Sequence, residues 1–257
     1  MLSYDELSDI ARLKRLSLVN AEKDYLQDLV LFSLYSQVGP SFVFKGGTCL
    51  FKVYNLNRFS EDLDFTLTEK VDVKKITGKI VTDSALLGIK GKIKEIREYR
   101  NEINIRLLFR GPLYNGSKSS QCFIPLNISM KEKVLLAPKQ ELLQPVYREL
   151  RSFYVFAMQE KEIVAEKVRA VLTREKPRDV YDLWFLLGKG VAFDLGIVNK
   201  KLNLYRITFD LDRFASAIKR KKGLWQTDLK NLVFGELPDF DEVVGVISAK
   251  AKKSFNL

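Results

Sequence analysis

The chain has 257 residues, room for a substantial core in one domain or two tightly packed lobes, and its 43 Lys and Arg against 32 Asp and Glu give a formal charge of +11. It contains no histidine, which excludes His-based triads, imidazole acid–base catalysis and His zinc sites. The basic excess suits an RNA or polyphosphate partner, and the lack of any run of about 18 uncharged apolar residues excludes a membrane-spanning helix.

In chain order, helical patterns cover residues 4–16 and 22–37, with Asn20 a good cap for the second. Phe42-Val43-Phe44 reads as a short buried strand, and Thr48 to Tyr54 as the helix that follows it. Between them stands Lys45-Gly46-Gly47-Thr48. Gly46 and Gly47 let the backbone come close to a ligand, and the first N–H groups of the helix lack intrahelical partners and favour an anion. Thr48 adds a hydroxyl donor. The same residues also read as a plain strand-to-helix turn capped by Thr48.

The next segment tips that balance. In Arg58-Phe59-Ser60-Glu61-Asp62-Leu63-Asp64-Phe65, Asp62 and Asp64 alternate with Leu63 and Phe65. Residues two apart in a strand share a face, so both carboxylates are presented together while the apolar side chains enter a core. Two like charges so placed repel, and a divalent cation relieves the repulsion. Mg²⁺, or Mn²⁺ in its place, takes one or two protein carboxylates plus substrate phosphates. Together with the glycine turn, the pair suits an NTP.

Residues 72–87 look helical, weakened by Gly78; residues 93–99, 102–109 and 122–130 have strand content, with a hairpin at Arg100-Asn101. Residues 74–110 hold ten basic and four acidic side chains, and Lys219-Arg220-Lys221-Lys222 forms a second cluster near Tyr205 and Trp225. Both clusters read either as RNA-facing surface or as solvated lysine-rich faces, and the two aromatics as base-stacking or core. Residues 138–147 are ambiguous. From Glu160 onward the pattern is mainly helical, which sets the expected division at 1–157 and 158–257. Cys49 and Cys122 lie in apolar segments and read as reduced structural thiols in a cytoplasmic protein without a signal peptide.

In the helical part, Ile163, Val164, Val168, Val171 and Leu172 form an apolar arc that contains Lys167 and leaves Glu162, Glu166 and Arg169 outside it. A lysine on an inward stripe either snorkels to water or finds an anion. After Lys176-Pro177 a further helix opens, with Asp179 and Asp182 on one face alongside Leu183 and Leu186. These aspartates also fit the usual acidic complement of a helix N-terminus, Asp179 better than Asp182.

The series G-G-T, R-F-S and E-D-L-D-F resembles the signature of the polymerase-β-type nucleotidyltransferase superfamily, and more narrowly that of the AbiEii/AbiGii-type nucleotidyltransferase toxins. The helix from Glu162 to Arg174 and Arg178-Asp179-Val180-Tyr181-Asp182-Leu183-Trp184 match two further motifs in the family's order, so the resemblance spans residues 44–187. It implies an α/β (α+β) chain, a mixed-sheet nucleotidyltransferase lobe followed by a mainly helical C-terminal lobe, with the Lys167 helix closing the cleft. It also implies catalytic roles for Asp62, Asp64, Lys167, Asp179 and Asp182, with Asp62 and Asp64 on the metal and Lys167 on the nucleotide phosphates. Lys45, Gly46, Gly47, Thr48, Arg58, Ser60, Arg174 and Arg178 are the expected nucleotide-binding residues.

The implied activity is transfer of NMP from an NTP to an RNA hydroxyl, such as a tRNA 3′ end, by a toxin countered by a separately encoded antitoxin. One departure stands out. Such enzymes usually carry a third carboxylate on a neighbouring strand, and here Asn127 occupies the expected place, so either Glu102, Asp179 or Asp182 supplies one or the catalytic power is reduced. Two other readings stay open: a small-molecule (antibiotic-type) nucleotidyltransferase, and a catalytically degenerate nucleotide- or RNA-binding module.

Overall fold

The structure is a computed structural model that describes residues 2–254. The chain divides into two compact units, one of residues 1–53, 59–134 and 138–157 and the other of residues 54–58, 135–137 and 158–257.

The first unit is built on one mixed sheet. Its elements are α1 (Tyr4–Lys14), α2 (Leu18–Tyr35), β1 (Phe42–Lys45), α3 (Gly46–Tyr54), β2 (Leu63–Leu67), α4 (Val73–Leu86), β3 (Lys90–Glu98), β4 (Glu102–Arg110), β5 (Cys122–Ser129), β6 (Lys139–Leu143) and β7 (Phe153–Ala157). The strand order is β3-β4-β5-β2-β1-β7-β6. β2 runs antiparallel to β1 and parallel to β5, so the strand carrying the aspartate pair is central. The ambiguous stretch 138–147 contains β6, and β7 was hidden in the apolar run just before the helical half.

Alternation sets which face each strand buries. Phe42 and Phe44 stand on one face of β1 and meet Phe65 of β2 at ring distances of 5.7 and 5.4 Å. Each such ring removed from water contributes about 1.5–3 kcal/mol. Leu63, Phe65, Leu126 and Ile128 are likewise buried, and Asp64 and Asn127 fall on the opposite face.

α2 starts earlier than its pattern suggested. Ser17, rather than Asn20, is the N-cap, and its hydroxyl accepts from the Asn20 N–H at 3.2 Å. The helix is buried nearly throughout, Asp24 and Asp28 included. Lys52 of α3 pairs with both, at 2.7 and 2.6 Å, and Lys14 and Tyr147 also hold Asp24. Burial pushes the Asp24 carboxyl up, but Lys52 and Lys14 outweigh it and bring it down to about 2. This ionic anchor fixes α3 against α2.

The second unit is helical: α5 (Glu160–Thr173), α6 (Pro177–Gly188), α7 (Leu195–Asn203), α8 (Leu211–Lys219), α9 (Trp225–Leu229) and α10 (Phe240–Lys253). Asp194, Asp210 and Asp239 cap α7, α8 and α10, each a contribution of about 1 kcal/mol. Among the described residues no helix is long and apolar enough to cross a membrane.

Candidate functional site

The glycine turn lies at the junction of β1 and α3. Gly46 has φ +75°, and a Cβ there would strike the Oδ2 atom of Asp64. Glycine is therefore required twice, for the backbone conformation and for the space the carboxylate occupies. The opening N–H groups of α3 point out of its first turn and favour an anion. Thr48, expected as a phosphate donor, is fully buried, and its hydroxyl donates to the Asp62 carbonyl oxygen at 2.5 Å. It ties the approach to β2 onto α3. Gln27 of α2 secures the same loop, donating to the carbonyls of Ser60 and Glu61 at 2.9 and 2.8 Å. Ser60 is itself buried.

Asp64 lies in β2 and Asp62 just before it, both half-exposed between the buried Leu63 and Phe65. Register sets Asp64 in a row across the sheet: Lys45 of β1, Asp64, Asn127 of β5, Asn104 of β4 and Arg97 of β3. The Asn127 amide donates to Asp64 Oδ1 at 2.9 Å. The neighbouring strand thus places an amide where a third carboxylate is expected. Glu102 lies at the start of β4, where its carboxylate accepts from Asn104 at 3.3 Å. Among the described residues no group of three acidic, Cys or His side chains is placed to hold a metal. Asp62 and Asp64, with Oδ2 of Asp64 in the space that Gly46 leaves, are a donor set that fits Mg²⁺ arriving with substrate phosphates, not an all-protein cage.

Lys45 is buried and ion-paired with Glu132, a partner 87 residues away that its motif did not reveal.

The remaining candidates gather in the helical unit as a buried charge network. Lys167 of α5 neither snorkels nor stands alone. Its Nζ lies 3.0 Å from Asp179 Oδ1 and 2.6 Å from Asp182 Oδ2. Arg58 grips Asp182 with two prongs, at 2.6 and 2.7 Å, and Arg174 grips Asp179 in the same way. Both carboxylates are fully buried. Burial pushes the Asp182 carboxyl up, yet Arg58 and Lys167 hold it below the usual aspartate range. Lys167 and Arg174 do the same for Asp179. Arg58 and Arg174, expected on the nucleotide, thus carry carboxylates, while Arg178 is half-exposed at the start of α6.

Two expectations about this unit need correction. Glu162 and Glu166 lie inside rather than outside: Lys201 of α7 pairs with them at 2.7 and 2.9 Å, and Glu162 also accepts from the Leu135 and Leu136 N–H groups. An apolar arc predicts burial from one neighbour, and α5 is covered on more than one side. The basic cluster at 219–222 is also partly internal. Lys221 is buried and donates to the carbonyls of Val171 and Ala217, both at 2.8 Å. Trp225 is buried against Phe240. Both cysteines are free and buried, and burial pushes the Cys122 thiol up to about 12.

Comparison with known proteins bears on the family and the fold. The chain matches the family described as nucleotidyl transferase AbiEii toxin, type IV TA system, over residues 29–246. No curated protein matches it. Among solved structures it is similar to MenT4, a nucleotidyltransferase toxin from Mycobacterium tuberculosis H37Rv, with 17% identity, a TM-score of 0.70, and coverage of 100% of this chain and 91% of that one. It is also similar to JHP933 from Helicobacter pylori, with 22% identity, a TM-score of 0.59 and 94% of each chain covered. At such identities the likeness is one of fold. With the family matched over residues 29–246, most of its length, this chain belongs to the AbiEii nucleotidyltransferase toxins of type IV toxin–antitoxin systems.

Proposed function

We propose that the protein transfers NMP from an NTP to a hydroxyl of RNA, with the 3′ end of a tRNA as the acceptor and Mg²⁺ as the ion. The observation that carries this reading is the Asp62–Asp64 pair beside the Gly46–Gly47 turn, with Gly46 giving up its side-chain space to Asp64. The N–H groups at the start of α3 bind the triphosphate. Asp62 and Asp64 hold the ion, which when bound neutralises phosphate charge and lowers the pKa of the attacking hydroxyl. Thr48 and Gln27 fix the loop that aims Asp62, and Asn127 orients Asp64 through its amide. The family motif assigns Lys167 to charge on the departing pyrophosphate, with Asp179 and Asp182 holding its ammonium in place. A tRNA acceptor places the activity in the cytoplasm, with a separately encoded antitoxin as partner.

The test is transfer of label from each α-³²P-NTP to bulk tRNA with Mg²⁺, comparing wild type with Asp62→Asn, Asp64→Asn and Lys167→Ala. Label on tRNA that all three variants lose while remaining folded is the expected result. Label on small alcohols and never on RNA would replace this reading with a small-molecule transferase. NTP binding with no transfer to any acceptor would replace it with a degenerate binding module, for which Asn127 is the supporting residue.

A further inference from the structure

We infer that the open face of β3, β4 and β5 is the track for the acceptor strand, receiving single-stranded RNA and delivering its end to Asp62 and Asp64. The inference rests on the transferase reading above and adds to it where the second substrate lies.

A groove of about 510 Å³ runs over this face, with Asp62 and Asn127 at one end. Strand order gives it a direction. β2 has β1, with the phosphate-receiving turn, on one side and β5, with the groove, on the other. The donor triphosphate and an acceptor on the groove therefore reach the aspartates from opposite sides, as a displacement at phosphorus requires. The far face of these strands is committed to the core, since Ile103, Ile105, Leu107, Ile124 and Leu126 are buried.

The groove carries the two features that single-stranded nucleic acid needs, cations for phosphates and a ring for bases. Register puts Arg106 opposite Pro125 and Arg97 opposite Asn104, both arginines exposed. Phe123 is 39% exposed, unusual for a phenylalanine on a strand of this core. The register of β3 slips between Ile93 and Glu95, which leaves Lys94 as the extra residue of a bulge. Its Nζ lies 4.4 Å from the Phe123 ring centroid. Glu95 is a local counter-charge on the same face, 2.5 Å from Arg97 and 3.9 Å from Arg106. Three cations line the groove with Glu95, and Glu102 adds a carboxylate at its edge through Asn104, so the balance stays basic up to the aspartates.

The test uses the intact protein, a fluorescein-labelled single-stranded RNA 12-mer, bulk tRNA and a fluorescent NTP. Phe123→Ala should weaken binding of the 12-mer about tenfold. The double substitution Arg97→Ala with Arg106→Ala should lower the slope of log K against log salt by about 1.4, about 0.7 for each phosphate that is no longer neutralised. In transfer assays both should raise the KM for tRNA and leave NTP affinity within twofold. If they label tRNA with wild-type KM, the track is wrong while the transferase reading stands. If wild type labels no RNA yet binds the 12-mer through these three residues, transfer to RNA falls and the face is an RNA-binding surface but not an acceptor track. If wild type binds no RNA, the track is overturned.

Discussion

Asp64 and Asn127 face each other across the parallel strands β2 and β5, and the Asn127 amide donates to Asp64 Oδ1 at 2.9 Å. A carboxylate at position 127 would meet Asp64 as a like charge at the same spacing. An amide instead holds Asp64 in one orientation and leaves its Oδ2 toward Gly46.

Asn127→Asp should therefore create a third carboxylate and make stability depend on the ion. Without divalent cation the repulsion should cost about 1 kcal/mol, a melting shift of about 2–4 °C. Millimolar Mn²⁺ or Mg²⁺ should restore it and stabilise the variant more than wild type. Melting curves with and without the ion check this. Equal curves in both conditions would show that the 127 position does not face the ion.

Gly46→Ala should be damaging out of proportion to its size. A left-handed φ in alanine costs about 1–3 kcal/mol, and the new methyl would push Asp64 aside. Displacement of a reacting group by about 1 Å lowers transfer about 100-fold. Gly78→Ala in α4 is the contrast. No atom lies within 4 Å of its added Cβ, and the change should stabilise by about 0.5–1 kcal/mol. Thermal melts and label transfer measured on both variants would expose an error in either assignment.

Asp182→Ala leaves Arg58 and Lys167 buried beside one fewer carboxylate and should cost about 3–5 kcal/mol. Arg58→Lys should recover little in a separate measurement, because an ammonium lacks the two-pronged fit that Arg58 makes. Urea unfolding of each variant decides this. A loss below about 1 kcal/mol for Asp182→Ala would mean that the network contributes little to stability.

Acid should destabilise the protein through specific carboxylates. Asp24 falls to about 2 from the usual 3.8, and Asp179 and Asp182 are also depressed. A carboxyl lowered in the folded state stabilises fully above its unfolded value and loses that contribution as pH drops through the folded one. Asp24 alone is worth about 2 kcal/mol on this reckoning. Asp28, raised by burial, runs the other way and costs stability as pH rises through its folded value. The expected profile falls steeply below about pH 4, where the depressed carboxyls protonate. Lys52→Met should flatten the acid limb by removing the main cation on Asp24, a change readable from unfolding at several pH values.

Much of the sheet site was legible because its signals are local. Alternation placed Leu63 and Phe65 in the core with Asp64 on the other face, and the double glycine marked the turn before α3. The hairpin of β3 and β4 and the strand of Asn127 were likewise visible from period and turn chemistry. β7 escaped because five residues of mixed apolar character next to a helix carry too little period to declare themselves. The N-cap of α2 shifted because two polar residues three apart both suit a cap, and only the path of the chain chooses between them.

What the sequence determined by itself is therefore the residue chemistry and its local setting: two aspartates two apart, a double-glycine turn between a strand and a helix, and a lysine on an inward stripe. What only the tertiary structure decided is who partners whom. Lys167 finds Asp179 and Asp182, Lys45 finds Glu132, Glu162 finds Lys201, and Thr48 turns to the Asp62 carbonyl. The physical reason is that a buried charge must be neutralised by whatever the fold brings beside it. Which segment that is depends on strand order and helix packing, not on spacing along the chain.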